Sequence, residues 1–493
     1  MEEAPAHVAN HVNMESGSAT VLGGDNWRFS ASTLRRFFET ECLIIVAIAG
    51  MLAVLAIVLP SMIAGDTWLA LVDGRWVSQH GLPHADAIAV WTHGKRWIDQ
   101  QWLAQVALYH VDRVGGVKLV LALGLVLDAA AIVAAAVAAR LAGASARSAA
   151  IGVPIAVIVA PWALQARTQS FALPLFVVVY ALLAADSRKP SRRVFLVLPI
   201  LALWGNLHGS AILGVGLAVG CGLLGVRRRP GHGLLLALGA VASLVVSPYG
   251  FDLVGYYHTM LGGPLRGYVA EWHPTSLSVP TAAFFAAAFG TVWLLARRAK
   301  AVSVFERIAL PLLLLAGLLA GRNTVWLGLA VAVSGPLLLD AEWRSETLID
   351  PRLRRVNVRL SIVAILIATV AITARLAQPE AGLLHAWPEA GASAVVAAAG
   401  PSGIVLSDDI HSDWLLWEKP VLIGRLAYDI RFELLDKAQF TKLRAIRSGA
   451  GGNRLTRQYK VLTFDPYQEA MPNLGRGRVV YRSPGFVVVR EPG

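Results

Sequence analysis

Charged residues are scarce in this chain: Asp, Glu, Lys and Arg together make up 15% of its 493 residues. Soluble globular proteins carry about 25% charged residues. This deficit excludes an ordinary water-soluble protein. The chain instead has 56% apolar residues, a composition suited to solvation by the hydrocarbon of a bilayer.

Cysteine is also scarce, with two residues, Cys42 and Cys221. Both lie inside apolar runs, and their spacing excludes a zinc cluster. We interpret them as small residues of a lipid-embedded core.

The net charge of +12 is spread along the chain. Basic residues stand in short clusters between apolar runs, and no segment forms a separate basic domain. The pattern therefore does not indicate nucleic-acid binding. In membrane proteins such clusters set the orientation of the helices.

Eleven apolar runs are candidate membrane-spanning helices. They cover residues 42–64, 117–139, 148–164, 170–186, 194–206, 209–226, 231–247, 279–296, 307–321, 323–339 and 358–376. They predict an α-helical polytopic membrane protein, with a transmembrane domain at 41–378 and a long first outer loop at 65–116. Residues 1–40 are predicted to form a disordered cytoplasmic segment, and the first run an uncleaved signal anchor.

Residues 380–493 do not have long apolar runs. Their pattern predicts a small soluble α/β domain, which we call the tail domain. Its candidate strands are Gly403–Leu406, Pro420–Gly424, Lys460–Phe464, Val479–Tyr481 and Phe486–Val489. An amphipathic helix is predicted at 432–446.

With the N-terminus inside, every predicted inner loop is basic, as the positive-inside rule requires. The residues are Arg140, Arg147, Arg188, Lys189, Arg192, Arg193, Arg227, Arg228, Arg229, Arg297, Arg298, Lys300, Arg344, Arg352, Arg354, Arg355 and Arg359, with Arg28, Arg35 and Arg36 before the first span. An odd number of spans then places the tail domain outside.

Ionisable side chains collect at the predicted outer ends of the helices. They are Asp66, Asp99, Arg167, His208, Glu271 and Arg322. Because charge at a membrane boundary is costly unless it faces a cavity or another charge, we expect these groups to share one cleft. Its arginines would bind a phosphate. Its carboxylates would take a proton from an attacking hydroxyl or hold a divalent metal.

Short motifs surround these residues in a characteristic order. They are Asp66-Thr67-Trp68, Gly74-Arg75-Trp76, Asp99-Gln100-Gln101-Trp102, Arg167-Thr168-Gln169-Ser170-Phe171, Trp204-Gly205-Asn206-Leu207-His208-Gly209, Ser247-Pro248-Tyr249-Gly250, Glu271-Trp272, Arg322-Asn323 and, in the tail domain, Asp413-Trp414-Leu415-Leu416-Trp417 followed by Pro420 to Arg425 and Tyr428. In this order the chain resembles the GT-C superfamily of polytopic membrane glycosyltransferases, and in particular its bacterial members of largely undefined role. The resemblance covers most of residues 40–490.

The resemblance implies a lipid-linked sugar donor at the outer leaflet, with Asp66 as the catalytic base. We assign Asp99 to the catalytic residues as well. The residues predicted to bind substrate are Arg167, Asn206, His208, Tyr249, Glu271 and Arg322. Many superfamily members have two adjacent acidic residues in the first outer loop, whereas here Thr67 follows Asp66. We therefore favour a metal-independent base and assign no metal ligand, with a divalent metal as the alternative.

Most of these residues also have a structural interpretation. The alternatives are a helix N-cap for Asp66, an ion pair with Lys95 or Arg96 for Asp99, lipid-headgroup contacts for Arg167 and Arg322, a helix cap for His208, an ion pair with Arg266 for Glu271, and an interfacial belt for Trp68, Trp76, Trp91, Trp97 and Trp102. In the tail domain, the cluster Asp408, Asp409, His411 and Asp413 is interpreted as a turn capped by Asp409 or Ser412.

We thus expect a glycosyltransferase of the bacterial plasma membrane. Its expected partners are membrane lipid, a polyprenyl-phosphate sugar donor and a glycan, lipid or protein acceptor, but not nucleic acid. The first alternative is a transporter or flippase of a lipid-linked or acidic solute, for which Asp128 within the second span is the supporting feature. The second is a non-catalytic assembly subunit.

Overall fold

The computed structural model describes residues 31–262, 267–343, 353–448, 455–456, 458–467 and 477–491. Arg28, Arg266, Arg344 and Arg352 lie outside these residues, as does most of the predicted N-terminal segment. The described helices are α1 (Ala31–Thr40), α2 (Cys42–Ile57), α3 (Gly65–His80), α4 (Trp102–Leu141), α5 (Ala146–Ile158), α6 (Thr168–Arg188), α7 (Val197–Leu207), α8 (Ala211–Val226), α9 (Pro230–Ser243), α10 (Asp252–Gly262), α11 (Ala282–Arg298), α12 (Val304–Leu319), α13 (Thr324–Trp343), α14 (Arg354–Leu376), α15 (Glu380–Leu383), α16 (Glu389–Ala399), α17 (Ser412–Glu418) and α18 (Lys437–Arg447).

The eleven predicted spans all fall on these helices. Within the described ranges, five helices are long and apolar enough to cross a membrane, or six if α1 and α2, bent by 76°, form one span. The five are Trp102–Leu141, Thr168–Arg188, Ala282–Ala301, Gly321–Trp343 and Arg354–Leu376. The predicted helical polytopic fold is thereby confirmed, while eleven crossings remain a prediction.

The first predicted span is shorter than expected. Helix α2 ends at Ile57, and a 3-10 turn at Leu59–Met62 follows it. Pro60 within that turn has no backbone N–H to continue a helix. The chain then starts a new helix, α3, at Gly65, so Asp66 lies in the first turn of a separate helix.

Helix α4 contains a break that matches a predicted boundary. Gly115 and Gly116 have non-helical backbone angles, with φ of +65° at Gly116. A side chain rarely adopts this conformation, whereas glycine adopts it freely. The predicted second span, 117–139, begins directly after this break.

The core of the transmembrane part is aromatic where α6, α7 and α13 meet. The rings of Phe176 and Trp326 lie 5.1 Å apart, and those of Trp204 and Trp326 lie 6.0 Å apart. All three side chains are buried. This packing fixes the outer ends of the three helices relative to one another.

The tail domain holds a small mixed sheet. Its strands are β1 (Val405–Leu406), β2 (Val461–Phe464), β3 (Arg478–Ser483) and β4 (Phe486–Arg490). The order is β1-β2-β4-β3, in which β1 and β2 are parallel and the other pairs antiparallel. Four of the five predicted strands are confirmed.

Two predictions for the tail domain are corrected. Pro420–Leu422 forms a 3-10 turn instead of a strand, with its proline at the start of the turn. The predicted helix 432–446 begins only at Lys437, because the Asp436 side chain accepts the Gln439 N–H at 2.9 Å and caps it. Residues Phe432–Leu434 form a separate 3-10 turn.

One hydrophobic core joins the tail domain to the first outer loop. Trp68 and Trp97 of the loop share it with Trp414 and Phe486 of the tail domain. The side chains of Trp68 and Trp97 are 1% and 2% exposed, so an interfacial belt is the wrong interpretation for these two. Burial of such large side chains is strongly stabilising. The tail domain is therefore fixed against the first outer loop.

Candidate active site

Asp66 and Arg167 form an ion pair at the start of two neighbouring helices. Nη1 of Arg167 donates to Oδ2 of Asp66. The two segments are joined just before these residues, where the Ala166 N–H donates to the Met62 carbonyl at 2.9 Å. The N-cap interpretation of Asp66 is wrong, because Ala64 occupies the cap position of α3.

The pair opens toward solvent on the Asp66 side. The side chain of Arg167 is 8% exposed and that of Asp66 41%. The guanidinium of Arg167 thus lies within the protein, while the Asp66 carboxylate is the exposed partner of the pair. Oε1 of Glu271 lies 3.8 Å from the same Nη1, so two carboxylates approach one arginine. The alternative partner of Glu271, Arg266, lies outside the described residues.

The ring of His208 is oriented by its neighbour Ser210. The backbone N–H of Ser210 lies 3.2 Å from Nδ1, and the Ser210 hydroxyl lies 2.7 Å from it. Trp204 Nε1 donates to that hydroxyl at 3.1 Å, which leaves the hydroxyl proton for Nδ1. Nδ1 is therefore an acceptor, and the proton of the neutral ring is on Nε2.

The positive charges of Arg167 and Arg322 act on the ring of His208. Burial lowers the pKa of His208, and the positive charges of Arg322 and Arg167 lower it further. Arg322 lies over the ring of Trp272, 4.4 Å from the ring centre. The turn that carries Arg322 also bonds to the Glu271 segment, because the Gly321 N–H donates to the His273 carbonyl at 3.1 Å. Arg167, His208, Glu271 and Arg322 are thus brought together, as the sequence predicts.

Asn206 and Tyr249 have structural partners beside this group. The Asn206 side chain donates to the carbonyls of Ala202 and Val246 at 2.9 Å and 2.7 Å, and it accepts Trp102 Nε1 at 3.0 Å. The hydroxyl of the buried Tyr249 donates to the Pro83 carbonyl at 3.0 Å. These bonds join the first outer loop to the turns that follow it. Their predicted contact with substrate remains a prediction.

Asp99 lies in the interior of the protein. It is 3% exposed, and its Oδ2 has no hydrogen-bond partner in the described part of the chain. Burial raises the pKa of Asp99 to about 7. Pairing with the nearby basic residues of its loop is the wrong interpretation, because Lys95 pairs with Asp436 at 3.1 Å and Arg96 with Asp252 at 2.7 Å.

Asp99 belongs to a buried group that sequence reasoning missed, which we call the Arg431 cluster. Its members are Asp73, Asp86 and Asp99 of the first outer loop and Asp413, Asp429 and Arg431 of the tail domain. Nη2 of Arg431 donates to Asp86 at 2.8 Å and to Asp429 at 2.5 Å. The guanidinium carbon lies 4.2 Å from the centre of the Trp97 ring. The signal available was Asp429-Ile430-Arg431 after Tyr428, too short to stand out in the sequence.

The carboxyl groups of this cluster differ in proton affinity. Burial raises the pKa of Asp73 and of Asp413 well above the usual range. Burial acts in the same direction on Asp86, but the charge of Arg431 and the hydrogen bond from Thr92 lower the pKa of Asp86 below its usual value. One guanidinium cannot balance five buried carboxylates, so the cluster favours protonation of some of them.

The Gly74-Arg75-Trp76 motif holds the tail domain. A Cβ atom on Gly74 would lie 2.2 Å from the Gln105 carbonyl oxygen, so only glycine allows this approach of α3 to α4. Arg75 donates to the carbonyls of Leu416 and Trp417 at 2.7 Å and 3.1 Å, and its guanidinium carbon lies 4.7 Å from the centre of the Trp417 ring. The Gly74-Arg75-Trp76 motif and the Asp413-Trp414-Leu415-Leu416-Trp417 motif therefore contact each other at Arg75.

The polar turn of the tail domain is capped differently from the prediction. His411 occupies the N-cap position of α17, and Asp408 accepts the His411 N–H at 2.7 Å. Asp409 pairs with Arg447 at 2.9 Å. The predicted capping by Asp409 or Ser412 is wrong, while the turn itself is confirmed. Across the described ranges, no three His, Cys, Asp or Glu residues are placed to hold a metal ion.

No protein-family model matches the chain, and no curated protein matches it. Solved structures do match. ArnT from Cupriavidus metallidurans bound to undecaprenyl phosphate has a TM-score of 0.51 at 14% identity, over 93% of this chain and 98% of ArnT. The chain shares its fold with ArnT. This match supports the predicted helical membrane architecture at the level of the fold.

Two further structures match with lower scores. ArnT in the apo state has a TM-score of 0.49 at 15% identity, over 89% of this chain and 97% of that one. The arabinofuranosyltransferase AftD from Mycobacteria has a TM-score of 0.42 at 16% identity, over 90% of this chain and 39% of that one.

Proposed function

We propose that this protein transfers a sugar from a polyprenyl-phosphate donor to an acceptor hydroxyl at the outer face of a bacterial plasma membrane. The observation that carries the proposal is the Asp66–Arg167 pair, open on its carboxylate side, with Glu271, His208 and Arg322 around it. ArnT, which has the same fold, was solved with undecaprenyl phosphate bound. A lipid phosphate suits two arginines and a histidine Nε2–H.

The proposed reaction replaces one bond at the anomeric carbon. The acceptor oxygen forms a bond to that carbon, and the bond from the carbon to the phosphate oxygen breaks. The electron pair leaves with the polyprenyl phosphate, whose charge therefore grows in the transition state. Arg167, Arg322 and Nε2–H of His208 are donors that oppose this charge without rearranging. The acceptor proton goes to a carboxylate of the cleft.

Support for the donor site comes from how its cations are held. Arg167 is buried and anchored by Asp66, while Arg322 is supported by the face of Trp272. Neither arginine depends on lipid headgroups for its place, which argues against the lipid-contact interpretation of both. Two preoriented arginines favour a ligand with phosphate oxygens over a neutral sugar.

The test is incubation of the purified protein with a panel of radiolabelled polyprenyl-phosphate sugars and candidate acceptors. The wild type should form labelled product, and Asp66→Asn should remain folded but lose most of its transfer activity. Asp252→Asn is the matched control, because Asp252 is also a half-exposed carboxylate paired with an arginine, 2.7 Å from Arg96. Movement of labelled lipid across a vesicle membrane without product would replace the proposal by a transporter.

A further inference from the structure

Two short segments of the tail domain, one with Asp409 and one with Ile430, lie against the start of α3. If Gly65 carried a Cβ atom, it would lie 3.6 Å from Cδ1 of Ile430 and 3.3 Å from the carbonyl oxygen of Asp409. Gly65 directly precedes Asp66. The tail domain therefore contacts the chain beside the residue that holds Arg167.

The segment that contains Ile430 is fixed on both sides of residue 433. Before it, Arg431 pairs with Asp86 and Asp429 and lies over Trp97. After it, Nζ of Lys95 donates to the Leu434 carbonyl at 3.0 Å. Within it, the Leu434 N–H donates to the Arg431 carbonyl at 2.9 Å and closes a tight turn. Glu433 is thus carried on a rigid turn, which suits a group that must meet a substrate.

The carboxyl group of Glu433 lies near that of Asp66. It is half-buried, and its charge interacts with those of Asp66 on α3, Asp99 of the first outer loop and Tyr256 on α10. Tyr256 in turn lies beside the turn of His208, since a Cβ atom on Gly209 would be 3.4 Å from the Tyr256 hydroxyl. Glu433 is therefore close to Asp66 and to Tyr256, and Tyr256 contacts the turn that bears His208.

The two carboxylates of this cleft have opposite environments. Asp66 is ion-paired, and one of its oxygens is taken up by Arg167. Glu433 has no ion pair among the described residues, and Asp429 of its own segment and Asp66 add negative charge near it. The hydrogen bond from its own backbone N–H and the charge of Arg431 act in the other direction, but burial outweighs both and raises the pKa of Glu433 to about 7. In a pair of acids with such different environments, the buried one is suited to exchange a proton and the ion-paired one to hold its cation.

We propose that Glu433 of the tail domain is the general base of the transfer reaction, and that Asp66 holds Arg167 in place for the leaving phosphate. This inference rests on the proposed function and gives Glu433 the role that the resemblance gives to Asp66. The acceptor O–H bond breaks as the bond from its oxygen to the anomeric carbon forms, and the proton goes to the Glu433 carboxylate. The tail domain then supplies part of the reacting centre, beyond its packing role.

The experiment compares the pH dependence of kcat/KM for the wild type, Glu433→Gln and Asp66→Asn, with a donor that the wild type uses. The wild type should lose activity as pH falls through about 7, because Glu433 must be deprotonated to act. Glu433→Gln should lower kcat by roughly 10²–10⁴-fold, the usual range for a general base, and abolish this acidic limb. Asp66→Asn should also be slow but should retain the limb, and Glu389→Gln, at an exposed position of the tail domain, should match the wild type.

Three outcomes overturn the assignment. They are full activity of Glu433→Gln, an unchanged acidic limb in that variant, or loss of the limb in Asp66→Asn instead. Glutamine keeps the shape of the side chain and removes a charge that burial disfavours, so equal thermal unfolding of Glu433→Gln and the wild type should show that the variant folds. A wild type without transfer activity on any donor would refute the proposed function instead, which keeps the two failures distinct.

Discussion

Nη2 of Arg431 lies 2.8 Å from Oδ1 of Asp86, so an arginine of the tail domain and an aspartate of the first outer loop form a buried ion pair. Both side chains are at most 2% exposed. A buried pair is not by itself strong evidence of stability, because both ions lose their hydration. Removal of one partner is costly, however, since it leaves an uncompensated charge in the interior.

Arg431→Met should destabilise the protein by roughly 3–5 kcal/mol, the typical cost of breaking a buried pair by removing one ion. The loss would leave Asp86 and Asp429 without their cation. Thermal unfolding of the detergent-solubilised protein measures the effect. Arg482→Met, on an exposed position of β3, is the matched control and should change stability little. Equal unfolding of the two variants would mean that Arg431 is not needed to hold the tail domain.

The acids of the Arg431 cluster should make stability depend on pH. Asp99 has a usual pKa of 3.8, and burial raises it to about 7 in the folded protein. Its neutral form is favoured by folding, so its stabilising contribution is complete below about pH 4 and is lost as pH rises through about 7. The pKa values of Asp73 and Asp413 are also raised by burial. The pKa of Asp86 is lowered instead, so its stabilising contribution is complete above about pH 4 and does not change as pH rises further.

Asp99→Asn should therefore flatten this dependence, because asparagine stays neutral at every pH. The measurement is the midpoint of thermal unfolding at about pH 5 and about pH 8 for both proteins. The wild type should lose more stability than Asp99→Asn over this interval. An equal loss in both would assign the pH dependence to other groups.

Much of the fold and half of the site follow from local sequence properties. Apolar runs predict the helices because lipid and protein core both favour apolar residues, and charged turns such as those of Arg167 and Arg322 predict which helix ends meet at the site. The glycine break at Gly116 limits a span for a reason that is visible in the sequence. Patterns of this kind depend on neighbours along the chain.

The remainder depends on contacts between distant segments. Nothing near Glu433 in the sequence shows that it lies near Asp66, since their proximity arises from the packing of the tail domain against the first outer loop through Arg431 and Arg75. Likewise, Asp99 resembles a cleft residue in sequence, but the fold places it in the interior. The partner of Asp66 was not predicted either, because it depends on how α3 and α6 start side by side.

Gly74→Ala tests the close approach of α3 to α4. The added Cβ would lie 2.2 Å from a backbone oxygen of Gln105, and a backbone contact cannot be relieved by rotating a side chain. We expect a loss of roughly 1–3 kcal/mol or more from overpacking. Gly216→Ala in α8 is the control, because no atom lies within 4 Å of the position of its Cβ. Wild-type unfolding of Gly74→Ala would show that the helices separate easily.

A double-mutant cycle on Asp66 and Arg167 should show that the two residues act as one unit. Arg167→Gln removes a donor to the leaving phosphate and should lower kcat/KM by roughly 10²–10³-fold, as the loss of a preoriented donor does elsewhere. Asp66→Asn should have a cost of similar size, because Arg167 then loses its anchor. Since each change disables the same unit, the double variant should be about as slow as the slower single variant. Strictly additive effects would mean that the two residues contribute through separate interactions, and the ion pair would then have no role in the reaction.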